Sequence, residues 1–394
     1  MYIEREIKTQ FETIRKLYSL VAVVGARQAG KTTFLKESIK GMNSSYVMFD
    51  DPDAKDLFEQ DIKKFEMQYM EGRDITVLDE IQYCKGAGAK LKYLAEKGKR
   101  VWITSSSETV LGKDVLSYLV GRVSILRVYP FSLKEFMVAK NQKETTDLIL
   151  ERNVWEHMVY GGYPKVVLTE ELEGKKIILR DLYETMVLKD IAKVFSINDI
   201  RKLEDFARYV AINAGEIAAY EKMSNALDLS FQTIKKYFDA MEKSYMIRRI
   251  PPFFVNKSKE ITKQPKMYFF DTGLRNAIVN EFAAEPGGKI FENYVLSELI
   301  KQDAQPKYWR TKSGLEVDFI IEKDNQVIPI EVKLTASDSI ERGLRSFIRT
   351  YRPKHAVVVF YKGLRKEVAV DGCNIIFTDI AGMKEALTGI YSEQ

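Results

Sequence analysis

The chain has 394 residues, 45% hydrophobic and 30% charged, with a formal net charge of +5. That is the balance of a soluble globular protein long enough for two or three domains. Two cysteines, Cys84 and Cys373, and two histidines exclude a disulfide framework and leave little room for zinc, which fits a reducing cytoplasm; with no run of about eighteen apolar residues and no basic-then-apolar leader, neither a membrane span nor a secretory signal is expected.

Helical spacing of Ile7, Phe11, Ile14 and Leu17 predicts a helix over 4–17 that packs on a sheet. An apolar run at 20–24 reads as a buried parallel strand. Gly25, Ala26, Arg27, Gln28, Ala29, Gly30, Lys31, Thr32 and Thr33 follow it, fitting G-x-x-x-x-G-K-[ST] at the head of a helix. The glycines allow a tight turn that exposes backbone N–H groups to anionic oxygens. Lys31 supplies charge for the β- and γ-phosphates of ATP, Thr32 a hydroxyl for Mg²⁺, and the helix its positive end. A chance glycine-rich loop is the alternative.

A second strand is expected over 45–49 and a helix over 54–69. The apolar strand 75–78 ends in Asp79 and Glu80, placing one carboxylate toward the Mg²⁺ shell and the next where it can polarise water. Strand 101–104 ends in Ser105, Ser106 and Ser107, which either sense the γ-phosphate or cap a helix over 108–119. Gly121 and Arg122 precede strand 123–128; Arg122 is a candidate for transition-state charge, in cis or on a neighbour's nucleotide in a homo-oligomer, and otherwise a surface arginine.

With Pro130-Phe131-Ser132-Leu133-Lys134-Glu135-Phe136 and then Gly161-Gly162-Tyr163-Pro164, this order resembles the AAA-type ATPases of archaea and bacteria, in the group that carries a C-terminal domain of uncharacterised function. The resemblance covers nearly the whole chain. It implies a helical lid over the nucleotide from about 131 to 195, and helical periodicity at 148–158 and 175–194 agrees.

Residues 196–280 read as a winged helix. Phe206, Val210, Ile212, Ile217, Met223 and Leu227 have helical spacing in two pieces, and Ser230 caps a further helix with Ile234, Tyr237, Phe238 and Met241 on one face. Strands over 245–254 and 266–271, joined by a basic loop, form the wing. Between Phe231 and Lys266, nine Lys/Arg stand against three acids, an excess larger than that of the whole chain. Lys235 and Lys236 on the helix, with Lys257 and Lys259 in the loop, are the candidate contacts to double-stranded DNA phosphates. A protein-docking role is the alternative.

After a linker at 285–288, a helix over 290–301 precedes two strands around Lys323-Asp324-Asn325. If Asp324-Asn325 is a two-residue turn, residue 323 pairs with 326, Asp318 opposes Glu331 and Glu316 opposes Lys333. Period two puts those four on one face and Val317, Phe319, Ile321, Ile330 and Val332 on the other. Opposed carboxylates repel unless a cation such as Mg²⁺ or Mn²⁺ joins them. This pattern resembles the restriction-nuclease-like superfamily. The resemblance implies metal ligands Glu292, Asp318 and Glu331, with Lys333 assisting attack on a phosphodiester. An ordinary polar sheet face, or a nuclease fold kept only for docking, is the alternative.

The expected fold is α/β throughout: a P-loop parallel sheet (1–130) with a helical lid (131–195), a winged helix (196–284), and a small α/β restriction-nuclease-like domain (285–394). The expected function is an ATPase that couples nucleotide state to DNA binding or cleavage. The alternative is a nucleotide-gated regulator with an inactive nuclease fold and a protein partner.

Overall fold

The computed structural model describes residues 2–106, 112, 116–141, 146–323, 325–337 and 339–392. Ser107, most of the helix expected over 108–119, and Asp324 of the expected turn lie outside them. Among the described residues no helix is long and apolar enough to cross a membrane.

The first sheet has five parallel strands in the order β2-β3-β4-β1-β5, namely Ser44–Met48, Ile75–Asp79, Val101–Ser105, Leu20–Gly25 and Val123–Val128. β1, β3 and β4 are buried along their whole length, as continuous apolar runs covered on both faces must be. The N-terminal helix is shorter than its periodicity suggests, Lys8–Leu17, and follows a turn at Glu6 and Ile7. The helix expected over 54–69 is two helices, Pro52–Gln60 and Ile62–Tyr69. Asp61 separates them by accepting from the N–H groups of Lys63 and Lys64, which starts a new helix.

Most of the described residues between 131 and 192 are helical. Ser132 and Glu135 form a reciprocal capping box at the start of Leu133–Ala139. Helices Asp147–Tyr160 and Leu172–Thr185 follow, and the latter runs into a wider π-helical turn, Met186–Ala192. Three helices come next, Ile200–Ile212, Tyr220–Leu227 and Phe231–Lys243, then an antiparallel pair, β6 (Ile247–Ile250) and β7 (Lys266–Phe269). These strands are shorter than expected; Pro251 and Pro252 carry no N–H to extend β6. The expected basic loop is partly a helix, Lys257–Thr262, capped by Asn256. Ile217 lies outside both helices, bridging to Lys266, and Ile212 is exposed rather than core.

The C-terminal sheet has six strands in the order β12-β13-β11-β10-β9-β8, namely Lys366–Val370, Cys373–Asp379, His355–Lys362, Gln326–Thr335, Glu316–Lys323 and Lys307–Arg310. The β9–β10 register is the one the turn implies, from Lys323↔Gln326 to Phe319↔Ile330. Beyond it the strand departs from period two. Lys307 pairs with Ile320 but Trp309 with Val317, so β9 carries one extra residue there. Val317 therefore packs with Ile320 in the smaller apolar cluster, while Phe319 and Ile321 pack in the main one. The expectation of a single apolar face fails at this bulge.

The helix Gly288–Lys301 ties this sheet to what precedes it. Asn293 brackets Phe269 of β7, accepting from its N–H at 2.9 Å and donating to its carbonyl at 2.7 Å. Glu298 accepts from Leu133 N–H, and Lys301 donates to Phe131 O. His157 completes the junction: Phe131 O can only accept, so Nε2 carries the proton, and Nδ1 accepts from Tyr294 OH at 2.8 Å.

Burial, reinforced by Lys301, holds the His157 pKa well below the ordinary histidine value. Neutral His157 therefore contributes stability above pH of about 6.5, and that stability is lost as pH falls below it. We expect thermal stability to drop more between pH 7 and 5 in the wild type than in His157→Gln, which stays neutral. Parallel melting curves across that window would contradict this.

Candidate functional site

β1 delivers the chain into the loop at Gly25, whose φ of 151° and closeness to Val128 leave no room for a side chain: a Cβ would lie 2.0 Å from Val128 O. Gln28 (φ 58°) and Gly30 (φ 98°) complete the turn into the helix Lys31–Ser38. Lys31 is buried, and its ammonium donates to the Gly25 and Ala26 carbonyls at 2.9 Å each. Burial pushes its pKa down, opposed by the charges of Glu80, Asp190 and Asp79. Thr33 is exposed on the first helical turn.

Asp79 ends β3 and stands opposite the loop. One oxygen accepts from Thr32 Oγ1 at 3.0 Å and Tyr46 OH at 2.6 Å; the other accepts from Thr104 Oγ1. Thr104 belongs to β4, between β1 and β3, and its hydroxyl also accepts from Glu80 N–H. Glu80 has a positive φ of 59°, an uncommon conformation for a non-glycine residue and one found at functional turns. Gln82 donates both to the Glu80 carboxylate and to Ser106 Oγ. Thr32, Asp79, Glu80 and Lys31 are thus brought together as the sequence implied.

Arg122 is not. β1 and β5 run parallel from Leu20↔Val123 to Gly25↔Val128, so Arg122 sits at the opposite end of the sheet from the loop, roughly 16 Å away at strand rise. It pairs with Glu96 at 3.3 Å. Action in cis is out of reach.

Arg5, Asp190 and Asp271, three residues around the loop, escaped sequence reasoning. Arg5 donates to Ala29 O (2.8 Å), Tyr129 O (2.6 Å) and Glu135 (2.9 Å), pinning the loop to the start of the lid. Arg27, within the loop, makes a two-pronged pair with Asp190 in the π-helical turn, at 2.7 and 2.8 Å. The Asp190 carbonyl accepts from Ser244 Oγ near β6. Asp271, just after β7, accepts from Gly162 N–H at 2.7 Å and from Leu274 N–H at 2.9 Å, the latter capping helix Thr272–Val279. Gly161 has no room for a Cβ, which would meet the Asp271 carboxylate at 2.0 Å. Burial raises the Asp271 pKa. In the sequence Glu135 appears only as part of a family motif, and nothing local marked the other partners.

On the helix Phe231–Lys243, Lys235 and Lys236 are exposed; Lys235 lies over the Phe231 ring and Lys236 donates to Ser196 O. Lys259 is exposed. Lys257 instead pairs with Glu322 of β9 at 2.6 Å and with Glu260, so it joins two parts of the chain.

In the C-terminal sheet, Asp318 sits at the bulge and accepts from Val332 N–H at 2.8 Å. Burial, then Glu331 and Glu292, push its pKa well above the ordinary aspartate value. Burial also raises Glu331, against the pull of Lys333. Glu331 Oε2 is buried with no hydrogen-bond partner. Lys333 pairs with Glu331 (2.9 Å) and Glu341 (3.1 Å), not with Glu316 as register alone implied. Glu316 pairs instead with Lys266 and Arg310. Glu292 accepts from Tyr268 OH at 2.6 Å and Lys266 Nζ at 3.1 Å. Among the described residues no three acidic, His or Cys side chains are arranged to hold a metal ion.

Three domain families match the chain in turn: an AAA domain over residues 18–137, a domain of unknown function (DUF8612) over 151–285, and another (DUF4143) over 287–378. An uncharacterised protein of Haemophilus influenzae is 27% identical over 330 residues, covering 79% of this chain and 81% of its own. One of Methanocaldococcus jannaschii is 26% identical over 349 residues, covering 82% and 77%. Among solved structures the chain is similar to the Walker-type ATPase of Pyrococcus abyssi (TM-score 0.45, 13% identity, 70% of this chain and 96% of that one). It is also similar to the ORC2 protein of Aeropyrum pernix in its ADP form (TM-score 0.35, 10% identity, 72% and 96%). The chain carries an AAA-type P-loop ATPase domain.

Removing the Asp271 carboxylate orphans two buried N–H groups, each costing about 1–3 kcal/mol. Asp271→Ala should therefore lower unfolding free energy by ~2–6 kcal/mol in denaturant titration. A loss below about 1 kcal/mol would mean the two groups find other partners.

Proposed function

We propose that this chain is an ATP- and Mg²⁺-dependent P-loop ATPase that uses nucleotide state to control engagement of double-stranded DNA by residues 196–284. The observation that carries the ATPase reading is the convergence of Lys31, Thr32, Asp79 and Glu80 on one loop whose Lys31 is stored against loop carbonyls. Phosphate oxygens replace those carbonyls as partners of Lys31, and the loop N–H groups from Ala26 to Thr33 face the same charge. Thr32 and Asp79 would hold Mg²⁺, which supplies charge neutralisation at the phosphates; their hydroxyl and carboxylate already lie within hydrogen-bond distance. Glu80, oriented by Gln82, takes the proton of the attacking water. Arg122 acts only on a neighbouring copy's nucleotide, in a homo-oligomer.

The DNA reading draws on a winged-helix arrangement: the capped helix Phe231–Lys243 with exposed Lys235 and Lys236, and the β6–β7 pair with exposed Lys259 beside it. Those lysines suit phosphate contacts. For the C-terminal domain we read a restriction-nuclease-like sheet with Asp318, Glu331 and Lys333 on adjoining strands. As the side chains stand they do not fit a metal: among the described residues no three acidic, His or Cys side chains are arranged to hold one. That observation favours the second reading, a nucleotide-gated regulator whose C-terminal domain binds without cutting.

Lys31→Ala should abolish ATP turnover and sharply weaken nucleotide binding, whereas Glu80→Gln should keep binding and lose about 10²–10⁴-fold in turnover. Wild-type turnover in Lys31→Ala overturns the ATPase reading. DNA affinity should fall steeply between about 50 and 200 mM salt and less steeply in a Lys235→Ala, Lys236→Ala variant. A flat salt response moves the partner from DNA to protein.

A further inference from the structure

The nucleotide loop carries an arginine that the phosphate-loop pattern does not require. Arg27 fills one of the four unspecified positions between Gly25 and Gly30. The pattern asks nothing of that side chain, yet this one is firmly held. Its Nε and Nη2 both donate to Asp190, at 2.7 and 2.8 Å, and the Asp190 carboxylate is buried. Asp190 is held in turn, because its carbonyl accepts from Ser244 Oγ at 3.1 Å. Two parallel N–H···O bonds to a fixed carboxylate set the plane of a guanidinium.

The pair uses one edge of that plane. Among the described residues no carboxylate or carbonyl answers Nη1, and only the Tyr83 hydroxyl lies within hydrogen-bonding reach of the group besides Asp190. Tyr83 ends the short helix Ile81–Tyr83, three residues after Glu80. The guanidinium therefore stands between Asp190 and the segment that carries Glu80. The charges of Arg27 and Asp190 both act on Lys31, together with those of Glu80 and Asp79, so the pair belongs to the phosphate end of the loop. The two other arginines considered do not serve there. Arg5 is buried with all three guanidinium nitrogens engaged, and Arg122 lies at the far end of the sheet.

We propose that Arg27 is a catalytic residue of ATP hydrolysis, acting in cis, and that Asp190 is the residue that positions it. Water attacks the γ-phosphorus, the bond from that phosphorus to the oxygen bridging to the β-phosphorus breaks, and the water's proton passes to Glu80 and on to solvent, leaving ADP and phosphate. Negative charge gathers on the bridging and γ-oxygens as that bond lengthens. The remaining N–H groups of Arg27 meet this charge while Asp190 keeps the opposite edge, so the pair stays as it is. An interaction made mainly with the transition state raises turnover and leaves ground-state binding nearly alone. The proposal rests on the ATPase reading and not on the DNA or nuclease-like readings.

The test compares the full chain as wild type, Arg27→Ala, Asp190→Asn and the double variant, each shown to be folded by circular dichroism. Three quantities are read: turnover of ATP with Mg²⁺, affinity for a non-hydrolysable ATP analogue, and trapping of ADP and Mg²⁺ by aluminium fluoride, which imitates the phosphoryl group in transfer. Arg27→Ala should bind the analogue within about fivefold of wild type, lose about 10²–10³-fold in turnover and fail to trap ADP. Asp190→Asn should keep binding and lose turnover by a smaller factor. Adding it to Arg27→Ala should cost nothing further, because the two residues act as a unit. Wild-type turnover and trapping in Arg27→Ala would overturn the proposal and leave the ATPase reading standing. So would a loss of analogue affinity as large as the loss of turnover, which is what a tie that only holds the loop would give. Should Arg27→Ala not fold, Asp190→Asn decides, and wild-type turnover there overturns the proposal. A wild type that does not hydrolyse ATP overturns the proposal and the ATPase reading together.

Discussion

One buried carboxylate decides how the parts of this protein meet. Asp271 follows the strand that pairs with β6, caps the helix after it, and holds the N–H of Gly162 in the turn between two lid helices. Tyr163, next in sequence, is buried, and Pro164 stands beside Gly30 of the nucleotide loop. The clamp requires glycine at 161, and Gly273 has no more room, since a Cβ there would meet the Tyr160 backbone at 2.2 Å. Two glycines and one acid from segments about 110 residues apart make a single tightly packed joint. Desolvating that acid is unfavourable, and the hydrogen bonds it accepts offset the loss of water.

Around that joint, long-range ion pairs fasten the loop on two sides. Arg5 and Glu135 are both buried, and breaking such a pair by removing one partner typically costs about 3–5 kcal/mol. Arg27 and Asp190 fasten the loop to the π-helical turn, and Ser244 fastens that turn to the residues before β6. The loop is therefore in contact with the lid and, one residue further, with the β6–β7 pair. A widened turn of this kind is a frequent feature of functional sites. The C-terminal helix Gly288–Lys301 closes the arrangement by bracketing β7 through Asn293 and the lid through Glu298 and Lys301.

What was legible in the sequence was what spacing alone determines. The strand-loop-helix of residues 20–38, the Asp79-Glu80 strand end, the Ser230 cap and the β9–β10 register all follow from local rules of period, turn length and capping. Illegible were the partners that only tertiary folding supplies. Arg5, Asp190, Asp271 and Lys266 sit in ordinary-looking segments, and their importance comes from residues tens to hundreds of positions away. The bulge at Asp318 was invisible because a strict alternation and a bulged one share the same letters until the neighbouring strand β8 is known. That Arg122 lies out of reach in cis was hidden because a sequence does not show which end of a strand faces the loop. Lys257 was counted with the DNA contacts because its charge was visible and its partner Glu322 was not.

The central claim is that nucleotide held by the 25–33 loop is felt across the Asp271 joint. Hydrogen exchange of the full chain, with and without a non-hydrolysable ATP analogue and Mg²⁺, tests it most directly. The account predicts altered protection in three places: the loop, residues 157–164, and residues 266–274. Lys31→Ala should erase all three changes together. Protection that changes only within the loop, with 157–164 and 266–274 unmoved, would contradict the account and leave an ATPase with no reach into the rest of its chain.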